Sequence, residues 1–409
     1  MRSTKAAFIW NILGSIAVAA SSLLLLMFAG RAQGESAAGV FSIALAISQL
    51  FSTIGLFEMR NFQSSDLKEK YLFSDYFTFR IFACLVMMIL STVYIIFKGY
   101  AGIEFKVLFS MCVYKMFDSF VDVCYGMLQQ KNKLEIAGKS LFFRTTICTI
   151  LFIFFVYHFD DLLMPMTILN IVTLIWIITY DFYYTRKYEK KWISFNYENM
   201  KSLFIECLPL CICSFLSIYL INSPKYAIQS FASKELQGIF GYVFMPTSVI
   251  NLFSIFILRP IIGDLSIAWT TGNKDRFIQF IRVIVLWIIV LTIGALIGGY
   301  FLGIPILSIL YSTNLTNYRT DLMIILVGGG FSALTTAFYY VLTVMRMQNR
   351  VLFTYGAVYL LSLLIVKNLA IKMNLIGASL GYAIVMLLLA IGLFITLIVS
   401  MKEIEKNKN

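Results

Sequence analysis

The chain has a single histidine, His158, and only six prolines in 409 residues. One imidazole cannot build a multi-histidine metal site. So few prolines leave long stretches free to be helical. Charge is also scarce: 13% of residues are charged, against about 25% in soluble domains. Long soluble segments are missing too, because most connections between apolar blocks are short. Seven cysteines are present, at 84, 112, 124, 148, 207, 211 and 213, but all fall inside apolar blocks and none has ligand spacing with the histidine. They read as small packing residues, not as disulfides or metal ligands.

What is abundant is apolar: 60% of the chain, with mean hydropathy +0.85. The apolar residues come in blocks near twenty residues, enough to cross a hydrocarbon core of about 30 Å. Their continuity, without alternation, excludes a β-barrel. The expected class is an all-α polytopic membrane protein with about twelve transmembrane helices, near 6–29, 37–59, 76–97, 107–128, 141–157, 164–184, 202–222, 237–258, 279–302, 322–344, 353–371 and 377–400. The first block is too long for a signal-peptide core and is read as a retained helix.

The net charge of +12 does not point to nucleic acid, because basic residues punctuate the ends of the blocks. With the N-terminus in the cytoplasm, 21 Lys and Arg fall on the inner side and 8 on the outer. The inner set includes Arg2, Lys5, Lys68, Arg259, Lys406 and Lys408. This bias places both termini inside. The basic connection 185–201 divides the chain into a half at 1–184 and a half at 202–401, with a tail at 402–409. Ala38-Gly39-Val40-Phe41 and Gln237-Gly238-Ile239-Phe240 open the second and eighth spans alike, a weak echo of duplication in parallel orientation.

One span breaks the apolar rule. In the fourth, Lys115, Asp118, Asp122, Tyr125 and Gln129 recur at steps of three and four and share a helix face. Facing lipid, the three charges would cost about 7–10 kcal/mol together, and each apolar neighbour returns only about 0.3–0.6. The stripe therefore faces other helices or water. It is either a Lys115–Asp118 pair that locks packing or the lining of a translocation path. Arg144, just inside the fifth span, either snorkels to the interface, pairs with Asp118 or Asp122, or meets substrate. Glu58 to Asp66 closes the second span with Arg60, Gln63 and Asp66 at steps of three: an interfacial arginine with a helix cap, or a donor set for an anionic head group. The seventh span runs to Asn222-Ser223-Pro224-Lys225-Tyr226, where proline is expected to stop or kink the helix and Lys225 to lie near the outer mouth. Glu206 calls for a cation from Lys201 or the basic inner loops. Gly328-Gly329-Gly330 lacks the context of a phosphate loop and reads as close helix contact or a flexible point. Asn314-Leu315-Thr316 matches a glycosylation acceptor by a pattern common in any sequence.

Arg60 to Asp66, Tyr114-Lys115 with Asp118 and Asp122, Tyr125-Gly126 with Leu128-Gln129, Leu134 to Ser140 ending at Arg144, and Asn222 with Pro224-Lys225-Tyr226 resemble the Wzx-type polysaccharide-transport flippases of the multidrug/oligosaccharidyl-lipid/polysaccharide exporter superfamily. The resemblance implies two six-helix lobes around a central cavity, alternating access, and a polyprenyl-pyrophosphate-linked oligosaccharide as substrate, in a bacterial plasma membrane. On that reading Arg31, Arg60, Arg144 and Lys225 match the pyrophosphate. Gln63, Tyr114, Tyr125 and Gln129 meet the substrate's polar groups, and Lys115, Asp118 and Asp122 form the polar path or couple it to a proton or Na+ gradient or the membrane potential. No cofactor is expected, and a polysaccharide polymerase is a natural partner. Rival readings are a cation-coupled drug exporter of the same superfamily and a membrane glycan polymerase. The small outer loops and lone His158 speak against an enzyme.

Overall fold

The computed structural model describes residues 2–66 and 70–406, without the side chains of residues 2–5, 61, 65, 259, 260 and 404–406. The side chains of Arg2, Lys5, Arg259 and Lys406, and Lys68 and Lys408 altogether, belong to the charge count above and lie outside the described residues, as do the side chains of Asn61 and Ser65. The described chain is helical, in the order α1 (Arg2–Leu56), α2 (Met59–Ser65), α3 (Phe73–Phe97), α4 (Gly102–Gln130), α5 (Leu134–Val156), α6 (Leu163–Trp176), α7 (Phe182–Tyr188), α8 (Tyr197–Gln229), α9 (Lys234–Phe244), α10 (Pro246–Thr270), α11 (Lys274–Gly298), α12 (Ile304–Tyr311), α13 (Arg319–Val344) and α14 (Gln348–Lys406). Single π-helical turns, Ile177–Asp181 and Gly299–Gly303, join α6 to α7 and α11 to α12.

Nine helical stretches among the described residues are long and apolar enough to cross a membrane. Two of them are broken by one non-helical residue: α1 at Gly34 (φ 86°, ψ 175°) and α14 at Asn374 (φ 52°, ψ −134°). Glycine takes the first conformation without a Cβ penalty, and asparagine is among the side chains that best tolerate positive φ. Each broken stretch is long enough for two crossings. Helix α4, whose charges lower its hydropathy, is 29 residues and so about 43 Å long. The arrangement is compatible with twelve spans. Helix edges run several residues past the expected ones, since hydropathy marks the hydrocarbon core while helices continue into the interface.

The chain divides into two compact units, Met1–Phe215 and Leu216–Asn409. The division falls within α8. Residues at the start of that helix bond into the first unit: Tyr71 Oη donates to Ser202 Oγ at 2.8 Å, Cys211 Sγ reaches Thr53 O at 3.6 Å, and Ser214 Oγ donates to Glu58 Oε1 at 2.5 Å. Glu206 finds its cation in the basic connection between α2 and α3, Lys70 Nζ at 2.7 Å. The hydrogen bonds to Glu206 and then to Tyr71 hold the exposed Lys70 ammonium above its ordinary pKa.

In the first unit α4 is the central helix, packed by α1, α3, α5 and α6. Helices α1 and α5 touch backbone to backbone, because a Cβ on Gly138 would lie 2.8 Å from the Trp10 carbonyl carbon. In the second unit α13 is central. Three consecutive glycines, about 100° apart around a helix, each admit a different neighbour. A Cβ on Gly328 would meet the Tyr382 ring of α14 at 2.5 Å, on Gly329 Ile250 of α10 at 3.2 Å, and on Gly330 Thr292 of α11 at 2.4 Å. The glycine run is thus a three-way close contact.

Helix α8 corrects one expectation. It does not stop at Asn222-Ser223-Pro224 but runs on to Gln229. Pro224 lacks the N–H that Leu220 O would accept, and the Ser223 hydroxyl donates to that carbonyl instead at 2.8 Å. All seven cysteines are buried and free.

Candidate functional site

The site begins where α1 ends. Phe57 (φ 47°) and Glu58 (φ 50°) both take left-handed geometry, so the chain breaks and restarts as α2. The break lays Arg60 and Gln63 against α4. Arg60 Nη1 lies 3.0 Å from Asp122 Oδ1, Nη2 donates to Gln129 Oε1 at 3.3 Å, and the guanidinium sits 5.8 Å from the centroid of the Tyr125 ring. Gln63 is fully buried against Gly126, its amide nitrogen 3.2 Å from Val123 O and its oxygen 3.3 Å from Met127 N. Only glycine leaves it room: a Cβ at 126 would fall 2.2 Å from the amide. Asp66 closes the segment by accepting from Lys70 N, Tyr71 N and the Tyr76 hydroxyl.

A second cation reaches Asp122 from α3. Arg80 Nη2 lies 3.2 Å from Asp122 Oδ2, and Nη1 donates to Gly55 O at 2.6 Å. One helical turn earlier on α4, Asp118 is shared in the same way. Lys115 Nζ lies 3.0 Å from Oδ2 and Arg144 Nη1 of α5 lies 2.7 Å from Oδ1. Lys115 also stands 5.3 Å from the centroid of the buried Tyr114 ring. Tyr125 Oη is 3.0 Å from Ser140 Oγ, which accepts from Trp176 Nε1 at 3.0 Å.

Each carboxylate is thus held by two cations. Four cations against two carboxylates leave a net charge of +2 in the cluster. Exposure divides it. The side chains of Arg80 and Arg144 are 0% and 2% exposed, while those of Arg60 and Asp118 are 29% exposed. The first pair is sunk among helices, where removing a partner strands a charge at about 3–5 kcal/mol. The second pair is reachable. The Lys115–Asp118 lock and an accessible polar face coexist on one helix.

The remaining predicted residues lie elsewhere. Arg31 is exposed three residues before the Gly34 break. The stretch from Gly34 to Leu56, about 33 Å of helix, separates it from Arg60, so Arg31 is not part of the cluster. Lys225 is 7% exposed in the second unit, its ammonium 4.9 Å from the centroid of the Phe244 ring. The Gln237 amide donates to Lys225 O at 3.3 Å. Lys225 forms no ion pair among the described residues. Neither Arg80 nor Asp181 stands out in the sequence. The one available signal is a charged residue near the edge of a predicted span, 76–97 for Arg80 and 164–184 for Asp181.

These observations define a polytopic helical membrane protein with a paired-charge cluster buried in its first unit. No family model matches the sequence. The fold is one shared with solved membrane transporters. An inward-facing multidrug resistance MATE family transporter of the MOP superfamily superposes with TM-score 0.72 at 12% identity, covering 98% of this chain and 96% of that one. The lipid II flippase MurJ in its inward closed conformation superposes with TM-score 0.69 at 15% identity, covering 97% and 87%. In sequence, the chain is similar to the capsular polysaccharide biosynthesis protein CapF of Staphylococcus aureus, 24% identical over 384 residues, 92% of this chain and 94% of that protein. The fold expected from the motif resemblance is the fold these structures share.

Proposed function

We propose that this protein is an alternating-access flippase that carries a polyprenyl-pyrophosphate-linked oligosaccharide from the cytoplasmic to the outer leaflet for surface polysaccharide assembly. The carrying observation is the net +2 of the cluster, with Arg60 and Lys115 partly exposed at its open side. A dianionic pyrophosphate diester complements that charge, and Arg60 offers a forked pair of donors already poised on Asp122 and Gln129. An arriving phosphate exchanges with Asp122, whose charge Arg80 continues to balance. Gln129, released from Arg60, then faces the first sugars, while the buried Tyr125 stays on Ser140. Lys225, a buried cation with no carboxylate partner among the described residues, supplies positive charge in the second unit. The names of CapF and MurJ agree with a lipid-linked glycan substrate.

On this reading 1–184 and 202–401 act as two six-span lobes joined by the basic connection, the termini are cytoplasmic, and the membrane is the bacterial plasma membrane. The driving force is a cation gradient or the membrane potential; one charge crossing 100 mV is worth about 2.3 kcal/mol. A polymerase would take the product at the outer face. The test uses cells deleted for this protein and asks which leaflet holds labelled lipid-linked oligosaccharide. Cytoplasmic accumulation, relieved by the wild type and not by Arg60→Ala, is expected. A normal distribution with unextended glycan outside would assign the protein to polymerisation instead.

A further inference from the structure

The cluster has a neighbour that none of its ion pairs uses. Asp181 lies in the π-helical turn Ile177–Asp181, where Phe182 N donates to Ile177 O across the wider ring. Single π turns inside α-helices often mark functional positions. Here the turn faces both Ile177 and Asp181 inward, and Asp181 is 2% exposed. Its Oδ2 is buried with no hydrogen-bond partner. The charged and titratable groups that face it are Arg144 of α5, Tyr125 and Cys124 of α4, and Tyr180 beside it, with the Ser140 hydroxyl also close. Arg144 is committed through Nη1 to Asp118, while its Nε is buried without a partner. The Arg144 guanidinium thus keeps one unsatisfied donor, and the nearby Asp181 carboxyl one unsatisfied acceptor.

We propose that Asp181 is a proton-binding site whose occupancy sets the charge of the cluster and so its hold on an anionic head group; this rests on the anionic-lipid reading above. An ionised carboxylate buried without a paired cation is expensive, and a group so placed is neutralised by a proton. Asp118 and Asp122 each have two cations within 3.2 Å, which Asp181 does not. With Asp181 protonated the surroundings carry +2, and with it ionised they carry +1. Ionised, it also draws Arg144 away from Asp118. Proton and anion therefore bind together, each strengthening the other. Sodium is the weaker ligand for this place, because the Arg144 charge acts on Asp181 and no group of three or more His, Cys, Asp or Glu side chains that could hold a metal forms among the described residues.

The experiment uses the full chain in lipid nanodiscs. Infrared difference spectra between about pH 5 and 9 follow the protonated-carboxyl band. The band is expected to disappear as pH rises, to be shifted by Asp181→Glu and to be absent in Asp181→Asn. No titrating band assignable to Asp181 would overturn the proposal. Calorimetry then follows a short-chain polyprenyl pyrophosphate linked to one N-acetylglucosamine, a diester that does not itself titrate in this range. Wild type is expected to take up a proton on binding, read as a buffer-dependent heat, and to lose about tenfold in affinity from the acid to the alkaline end. Asp181→Asn is expected to bind tightly throughout. Binding without proton uptake or pH dependence refutes the coupling, as does a sodium requirement that Asp181→Asn removes. A titrating Asp181 with no binding of the diester at any pH would instead sink the anionic-lipid reading and leave the proton site standing.

Discussion

Arg80 is the sharpest lever on the cluster. It is fully buried, and its two nitrogens hold Asp122 at 3.2 Å and Gly55 O at 2.6 Å. Replacing Asp122 by asparagine leaves Arg80 charged and unpaired in the interior, at a cost of about 3–5 kcal/mol. Replacing Arg80 by methionine keeps much of the volume but orphans Gly55 O. It also leaves Asp122 with Arg60 alone, at about 2–4 kcal/mol for a lost charged hydrogen bond and half of a shared pair. The double variant Arg80→Met/Asp122→Asn strands no buried charge, because the partly exposed Arg60 keeps Gln129 and water. Its cost should fall short of the summed single costs by about 2 kcal/mol or more. Denaturant unfolding of the three variants and wild type in nanodiscs reads this as a cycle. Additive costs, or single variants within about 0.5 kcal/mol of wild type, would refute the shared-carboxylate account.

Other expectations are quicker to check. Gly328→Ala and Gly330→Ala force a Cβ to within 2.5 and 2.4 Å of Tyr382 and Thr292, and each should destabilise by about 1–3 kcal/mol in thermal melts. Gly294→Ala and Gly298→Ala meet nothing within 4 Å and should be neutral or stabilising by up to about 1 kcal/mol, so equal effects at all four sites would contradict the close-contact reading of α13. Gly138→Ala pushes against the Trp10 backbone at 2.8 Å, which cannot rotate away, and is expected to lower expression and melting temperature more than Gly126→Ala, whose Cβ meets side-chain atoms only, the Gln63 amide at 2.2 Å and Arg60 Cγ at 3.5 Å. Arg60→Ala should abolish export while sparing the fold, and Arg144→Ala should unfold the first unit, judged by export against melting temperature. The raised Lys70 pKa means that its contact with Glu206 is fully present below the ordinary lysine value and lost only as pH rises through the higher folded value; loss of the Lys70-dependent stability near neutral pH would contradict that assignment.

Much of the fold was legible because hydropathy and charge speak directly to a bilayer. Spans, charge bias and the polar face of α4 follow from the expense of putting polar groups in hydrocarbon. The pairing of Asp118 with Lys115 and Arg144 was readable from helix spacing and from the short α4–α5 turn. What stayed hidden depends on contacts between distant segments. Arg80 joins Asp122 across the α3–α4 contact and Gly55 O just before the left-handed pair Phe57 and Glu58 that ends α1. Local sequence does not announce such a break. The continuation of α8 past Pro224 was missed because a proline's lost bond was weighed without the serine next to it. Asp181 escaped notice because a π turn, which no simple periodicity reveals, decides which way it faces.

The central claim, that this protein moves an anionic lipid-linked glycan through a cationic cluster, is tested most directly by reconstitution. Purified protein in vesicles would be given fluorescent polyprenyl-pyrophosphate-linked oligosaccharide in one leaflet, and its arrival in the other read by a membrane-impermeant quencher. The account predicts translocation by wild type, its loss in Arg60→Ala, and no translocation of a matched glycolipid without the pyrophosphate. Translocation by Arg60→Ala at the wild-type rate, or equal movement of the uncharged glycolipid, would contradict it.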